Sequence, residues 1–239
     1  MSKIPNVNPV FWLSALLSAV LGETAADWLK NGTQWGVNKT FIIMGIIGLV
    51  AIVFEIRSKA YSAAKFWLTM VLAGIIGTLL SDMLRDTAKA SLMLTTLIFI
   101  AGVVITLGIW KSQKNSVSPE SVSTASHSSY FWITSLFAFS LGTASGDQVA
   151  TRFNTGFIES TLIFAAIIAV IWIIGKFAKS PVALFWITFV LIRPLGANIG
   201  DLFGKGKADS GLGFGTLPTS IVFILMLSAV VLSQSRKKS

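Results

Sequence analysis

Two carboxylates spaced four apart, Glu23 and Asp27, are the residues of this 239-residue sequence best placed to do chemistry. On a helix that spacing puts both on one face, about one turn apart. Neighbouring acids in a poorly hydrated setting repel each other when ionised, which invites a bound cation or a shared proton. A third acid, Asp201, follows Asn198, whose amide offers another oxygen. Arg193 stands eight residues before Asp201, which is roughly 12 Å along a helix. A guanidinium that deep in lipid is costly unless paired or hydrated, and by depth its partner is Glu23. Pro194 removes a helix hydrogen bond and so offers backbone carbonyls nearby. Carboxylates and an amide are ligands for hard cations, favouring manganese or magnesium over zinc or copper. The expected metal ligands are therefore Glu23, Asp27 and Asp201. A wider cation-binding or transport set adds Asp82, Asp147, Arg193 and Asn198.

Other chemistries lack parts. The sequence has no cysteine and one histidine, His127, in a polar stretch. Thiol nucleophiles, thiolate metal sites and His-rich centres are excluded, and no Ser-His-Asp arrangement is in view. The expectation is no enzyme, no catalytic residue and no cofactor. The formal charge of +9 does not point to nucleic acid, because the basic residues lie in short segments between apolar runs.

Those runs are the elements that must position the acids. The chain is 54% hydrophobic and 12% charged, with a mean hydropathy of +0.76, too apolar for a soluble domain of this length. Eight runs, at 9–29, 40–57, 64–84, 91–110, 129–149, 157–176, 182–203 and 216–233, are long enough to cross roughly 30 Å of hydrocarbon as helices. The first contains Glu23 and recurs later in the chain, so it reads as a retained span rather than a signal peptide.

The recurrence is fourfold. Phe11-Trp12, Phe66-Trp67, Phe131-Trp132 and Phe185-Trp186 open alternate spans; ten residues after each Trp stand Gly22, Gly77, Gly142 and Gly196, and five further on Asp27, Asp82, Asp147 and Asp201. The Phe-Trp pairs are 55, 65 and 54 residues apart. The long middle interval divides the chain into a first half at 1–111, a cytoplasmic linker at 112–129 and a second half at 130–239. Each repeat holds two spans, so successive repeats enter the membrane in the same direction and are related by rotation about an axis along its normal. The expected fold is an all-α membrane protein of eight transmembrane helices, in four parallel two-helix repeats.

With the Phe-Trp pairs anchored in an aromatic belt, each Asp lies roughly 22 Å further along its helix, near the opposite interface. A small residue follows each glycine by four, in Gly22-Ala26, Gly77-Ser81, Gly142-Gly146 and Gly196-Gly200. Such pairs let helices approach closely in lipid, which makes the odd-numbered spans the inner bundle and the even-numbered ones its lipid-facing cover. Lys3, Arg57, Lys59, Lys65, Lys111, Lys114, Lys176, Lys179, Arg236, Lys237 and Lys238 fall on the side of the N-terminus, and seven bases fall opposite. The positive-inside rule then places both termini in the cytoplasm. Asp209–Thr216, with glycine at alternate positions, is either a cover for the outer entrance or a flexible loop. In the position of Glu23 the other repeats carry Thr78, Thr143 and Ala197, so chemistry is concentrated in the first and fourth repeats.

The runs GETAAD (Gly22–Asp27), RPLGANIGD (Arg193–Asp201) and DSGLGFGT (Asp209–Thr216), with the fourfold FW pattern, resemble a bacterial family of uncharacterised membrane proteins built from four tandem two-span repeats. The resemblance covers almost the whole chain. It implies the repeat architecture and a bacterial inner-membrane location, and it brings no substrate. The residues themselves point to transport of a small cation, a divalent metal such as manganese, with proton-coupled export as one form. The expected partners are the lipid bilayer and a small inorganic cation or proton, with no nucleic acid and with homo-oligomerisation left open. The alternative is a non-transporting scaffold or sensor whose buried charges are structural ion pairs and whose Asp residues cap span ends.

Overall fold

A computed structural model describes residues 2–153, 155–177 and 180–236. Of the basic residues counted above, Lys179, Lys237 and Lys238 lie outside the described residues. Among the described residues there are eight α-helices and no strand: α1 (Pro9–Asp27), α2 (Gly36–Arg57), α3 (Ala63–Asp82), α4 (Leu92–Lys114), α5 (Ala125–Phe153), α6 (Phe157–Gly175), α7 (Pro181–Gly204) and α8 (Thr216–Arg236). Local chemistry sets several ends. Asn8 caps α1 by accepting from the Phe11 amide at 2.9 Å, with Pro9 opening the helix, and Ser180 with Pro181 does the same for α7; both use the donors a helix start leaves free.

Seven of the eight helices are long and apolar enough to cross a membrane. The exception is α5, whose 29 residues are rich in Ser, Thr and Gly. Two of its hydroxyls are bonded locally: Ser135 and Ser140 donate to the carbonyls of Phe131 and Leu136 in their own helix.

The odd-numbered helices α1, α3, α5 and α7 form a closed ring, each packed on the next and α7 returning to α1. Most of the apolar stretch of α1, α3 and α7 is buried, whereas α2, α4, α6 and α8 bury little of theirs. The two helices of a repeat are not a self-contained hairpin. Each even-numbered helix packs chiefly on the odd helix of the following repeat: α2 on α3, α4 on α5, α6 on α7, and α8 back on α1.

The signature glycines are the contact points of the ring. A Cβ on Gly22 would stand 3.1 Å from the Gly74 Cα, and one on Gly77 would stand 2.7 Å from the Phe139 Cβ. On Gly142 it would collide with Arg193, and on Gly196 with Ala19. Gly74, Phe139, Arg193 and Ala19 each stand three residues before the signature glycine of the next repeat. The four junctions are therefore equivalent, as cyclic repeats require. Backbones approach here because packing, not hydrophobic exclusion, drives helix association in lipid.

The Phe-Trp pairs depart from expectation. They are not an outward-facing belt: Phe11, Phe66, Phe131, Trp67 and Trp132 are buried in the bundle. Each Phe packs on the Trp of the next repeat, with ring centroids 5.5 Å apart for Phe11–Trp67 and Phe66–Trp132, 6.0 Å for Phe131–Trp186 and 5.6 Å for Phe185–Trp12. Large flat rings gain more from dense inter-helix packing, with its tilted and edge-on geometries, than from lipid contact.

Helices extend into both ends of the linker. Since α4 runs to Lys114 and α5 begins at Ala125, the irregular part is 115–124. It lies across the aromatic end of the ring: the Lys3 amide donates to the Val122 carbonyl at 2.7 Å, and Trp186 Nε1 donates to the Val117 carbonyl at 2.9 Å. At the other end, Asp209–Thr216 folds back along the end of α7. The Leu212, Gly213 and Phe214 amides donate to the carbonyls of Leu202, Lys205 and Phe203. Two of its alternate glycines, Gly213 at φ 82° and Gly215 at φ 89°, adopt a backbone conformation that side chains disfavour.

Candidate functional site

The ring brings equivalent residues of the four repeats to common levels on its central line, and the unusual residues meet there. At the level three residues before the signature glycines, repeats one to three supply Ala19, Gly74 and Phe139, and repeat four supplies Arg193. Arg193 fills the centre. Its Nη1 donates to the Ala19 carbonyl at 2.7 Å and its Nη2 to the Gly74 carbonyl at 3.0 Å. The guanidinium carbon lies 5.2 Å from the centroid of the Phe139 ring. The small residues at 19 and 74 leave their carbonyls accessible, so a charge buried to 1% exposure is hydrogen-bonded instead of stranded. The helix is continuous through Pro194, and the carbonyls that Arg193 bonds belong to α1 and α3, not to its own helix.

One turn further along sits the level of Glu23, Thr78, Thr143 and Ala197. Arg193 Nη2 donates to Thr78 Oγ1 at 2.9 Å, and that hydroxyl donates to Glu23 Oε2 at 2.9 Å. Direct approach of Arg193 to Glu23 is 3.9 Å. Thr78 also lies 3.4 Å from Thr143. The pairing of Glu23 with Arg193 is thus carried by a hydroxyl between them, which bonds both.

At the end of the ring the four aspartates form a rim. Carboxylate oxygens of Glu23, Asp27 and Asp201 lie within 4.8 Å of one another, and all three residues are buried. Asp82 and Asp147 are not drawn into that cluster. Lys30 lies 2.7 Å from Asp27 and 2.5 Å from Asp82; Arg85 pairs with Asp147. Lys205 lies 2.9 Å from Asp201 and 3.8 Å from Asp27. Burial opposes the Lys205 charge, but Asp201 and Asp27 outweigh it and hold the ammonium above its ordinary pKa. Asn198 is buried against Gly146 of α5, and its amide nitrogen donates to the Pro194 carbonyl at 2.8 Å.

Lys30, Arg85 and Lys205 are absent from the residues singled out by sequence, and Thr78 appeared there only as the counterpart of Glu23. The signal was present: Lys30 and Arg85 each stand three residues after a signature aspartate, and Lys205 stands four after. What sequence did not reveal is that Lys30 and Arg85 occupy π-helical turns, Trp28–Gly32 and Met83–Thr87, that continue α1 and α3. A π turn re-aims side chains and recurs at functional positions. Here both reach the aspartate of the next repeat.

Fold and site together define an all-helical protein of four repeats, its helices suited to a membrane, with a buried acidic cluster at one end of an inner ring. The chain belongs to the family described as Repeat of Unknown Function (DUF347), which matches residues 10–61, 65–116, 130–180 and 184–239. Comparison with curated proteins and with solved structures gives no match.

Proposed function

We propose that this protein is a multi-pass membrane transporter of a small cation, a divalent metal such as manganese, exchanged for protons. The observation that supports it is the Glu23–Asp27–Asp201 cluster, three buried carboxylates with oxygens within 4.8 Å. A hard cation held at about 2.0–2.6 Å from each oxygen needs them no more than about 4–5 Å apart. Charge balance adds support. Among the described residues Glu23, Asp27, Asp82, Asp147 and Asp201 are ion-paired with Lys30, Arg85, Arg193 and Lys205, which leaves one negative charge in excess. An uncompensated buried charge is costly, so the cluster has reason to hold a proton or to exchange it for a cation. The Lys30 and Lys205 ammoniums already sit on these carboxylates, and an arriving metal ion would displace them.

In this reading the axis of the ring lies along the membrane normal and all eight helices span. The aromatic end, which carries Lys3, Arg57, Lys59, Lys65, Lys111, Lys114 and Lys176, faces the bacterial cytoplasm with both termini. The acidic cluster then opens to the opposite side. Manganese flux into proteoliposomes under an imposed pH gradient tests the proposal. Glu23→Gln, Asp27→Asn and Asp201→Asn should each lower flux at least about tenfold; flux at the level of the unmodified protein in all three would remove the cluster from the mechanism.

A second reading, a scaffold without transport, is favoured by the pairing of Asp82 with Lys30 and of Asp147 with Arg85. It expects no flux of any cation from the intact protein.

A further inference from the structure

The four repeats act as internal controls for one another, and one junction differs at the rim. Lys30 of repeat one reaches Asp82 of repeat two, Arg85 of repeat two reaches Asp147 of repeat three, and Lys205 of repeat four reaches Asp27 of repeat one. The remaining junction, between α5 and α7, has Ala150 where Lys30 and Arg85 stand, and α5 continues there as a regular helix without a π turn. Among the described residues no base bridges Asp147 to Asp201.

Three further observations fall on the same seam. The Asp147 side chain is 37% exposed, against 5%, 7% and 11% for Asp27, Asp82 and Asp201. A Cβ on Gly146 would meet nothing nearer than 3.4 Å, an ordinary contact with Pro194, whereas one on the equivalent Gly200 would stand 2.9 Å from Thr24. Asn198, 5% exposed, lies on the seam beside Gly146 and spends its amide nitrogen on the Pro194 carbonyl. Among the described residues no donor meets its amide oxygen.

We infer that a hydrated cation reaches the Glu23–Asp27–Asp201 cluster through the unbridged seam between α5 and α7, passing Asp147 and the Asn198 amide oxygen. This deepens the cation-carrier reading and rests on it. The other three junctions are closed to a cation by a bound ammonium or guanidinium, which repels it and occupies its ligands. At this seam Arg85 holds Asp147 and Lys205 holds Asp201, but no base joins the two carboxylates, and an amide oxygen replaces part of a hydration shell without adding charge.

The test exploits the absence of cysteine. Gly146→Cys and Ser81→Cys place single thiols at equivalent positions facing the α5–α7 and α3–α5 seams, in the full chain in membrane vesicles. A membrane-impermeant cationic thiosulfonate stands in for the cation. The thiol at 146 should react at least about tenfold faster than that at 81, and adding Ala150→Lys should slow it several-fold by bridging Asp147 to Asp201. Equal rates, or a faster reaction at 81, would overturn the inference. If the cysteine variants do not fold, Ala150→Lys alone decides: closing the fourth bridge should raise Tm by roughly 1–3 °C, and an unchanged or lower Tm counts against the seam. These readouts do not require transport. Fast labelling at 146 without manganese flux from the unmodified protein would leave an open seam and reject the carrier; flux with equal labelling would keep the carrier and reject this route.

Discussion

At the scale of single residues, Arg193 has the environment that most constrains the molecule. Its three repeat-equivalents are Ala19, Gly74 and Phe139, and it uses all three, two as carbonyl acceptors and one as an aromatic face. A methionine of similar length would keep the packing but leave Thr78 and two buried carbonyls without their donor and Glu23 without its countercharge. Arg193→Met is therefore expected to lower stability by about 3–5 kcal/mol, measured by unfolding in mixed micelles. Adding Glu23→Gln should recover part of the loss, with a coupling of at least about 0.5 kcal/mol. Recovery stays incomplete because the Ala19 and Gly74 carbonyls remain unbonded. Strict additivity of the two changes would mean that Thr78 does not couple them. The Arg193–Glu23 pairing was legible from helix depth; the hydroxyl that joins them was not, because it depends on α3 standing beside α1.

At the scale of elements, the glycines separate into those that set helix approach and those that do not. Gly77 lies against the α5 backbone, where an added Cβ would stand 3.0 Å from the Ser140 amide nitrogen, and backbone cannot rotate aside. Gly77→Ala should cost about 1–3 kcal/mol. Gly108 on α4 has nothing within 4 Å of an added Cβ, so Gly108→Ala should change stability by less than about 1 kcal/mol and towards greater stability, through helix propensity. Thermal unfolding in detergent distinguishes them, and equal losses would undo the assignment of α3 to the packed ring. The π turns belong to this scale as well. They are invisible in hydrophobic periodicity, yet they bring Lys30 and Arg85 to neighbouring repeats.

For the whole molecule, the arrangement of α8 on α1 matters as much as any helix pair, since it closes the circle between the last repeat and the first. At the level of the signature glycines every junction within the ring is of one kind, and only the crossing segment 115–124 ties the halves covalently. Fragments 1–116 and 117–239, expressed together, should therefore assemble and co-purify, because helices inserted separately can still associate by packing. Expressed alone, each half leaves two junction faces without partners and should be degraded or aggregate. Failure of the paired fragments to associate would show that the linker is needed to build the ring, not merely to cover its aromatic end.

The sequence alone determined the number and extent of the helices, the four repeats, their common direction and the inner position of the odd-numbered helices. These follow from hydrophobic length and from residues repeating at fixed spacing, which are local or periodic properties. It also marked Glu23, Arg193 and Asn198 as departures from the repeat. Only the tertiary structure decided that the Phe-Trp pairs turn inward, that each outer helix covers the next repeat, and that Asp82 and Asp147 are ion-paired apart from the three clustered acids. The physical reason is that these outcomes depend on which helix stands beside which. A fourfold repeat announces equivalent helices, but the order in which they close into a ring is set by how their surfaces fit.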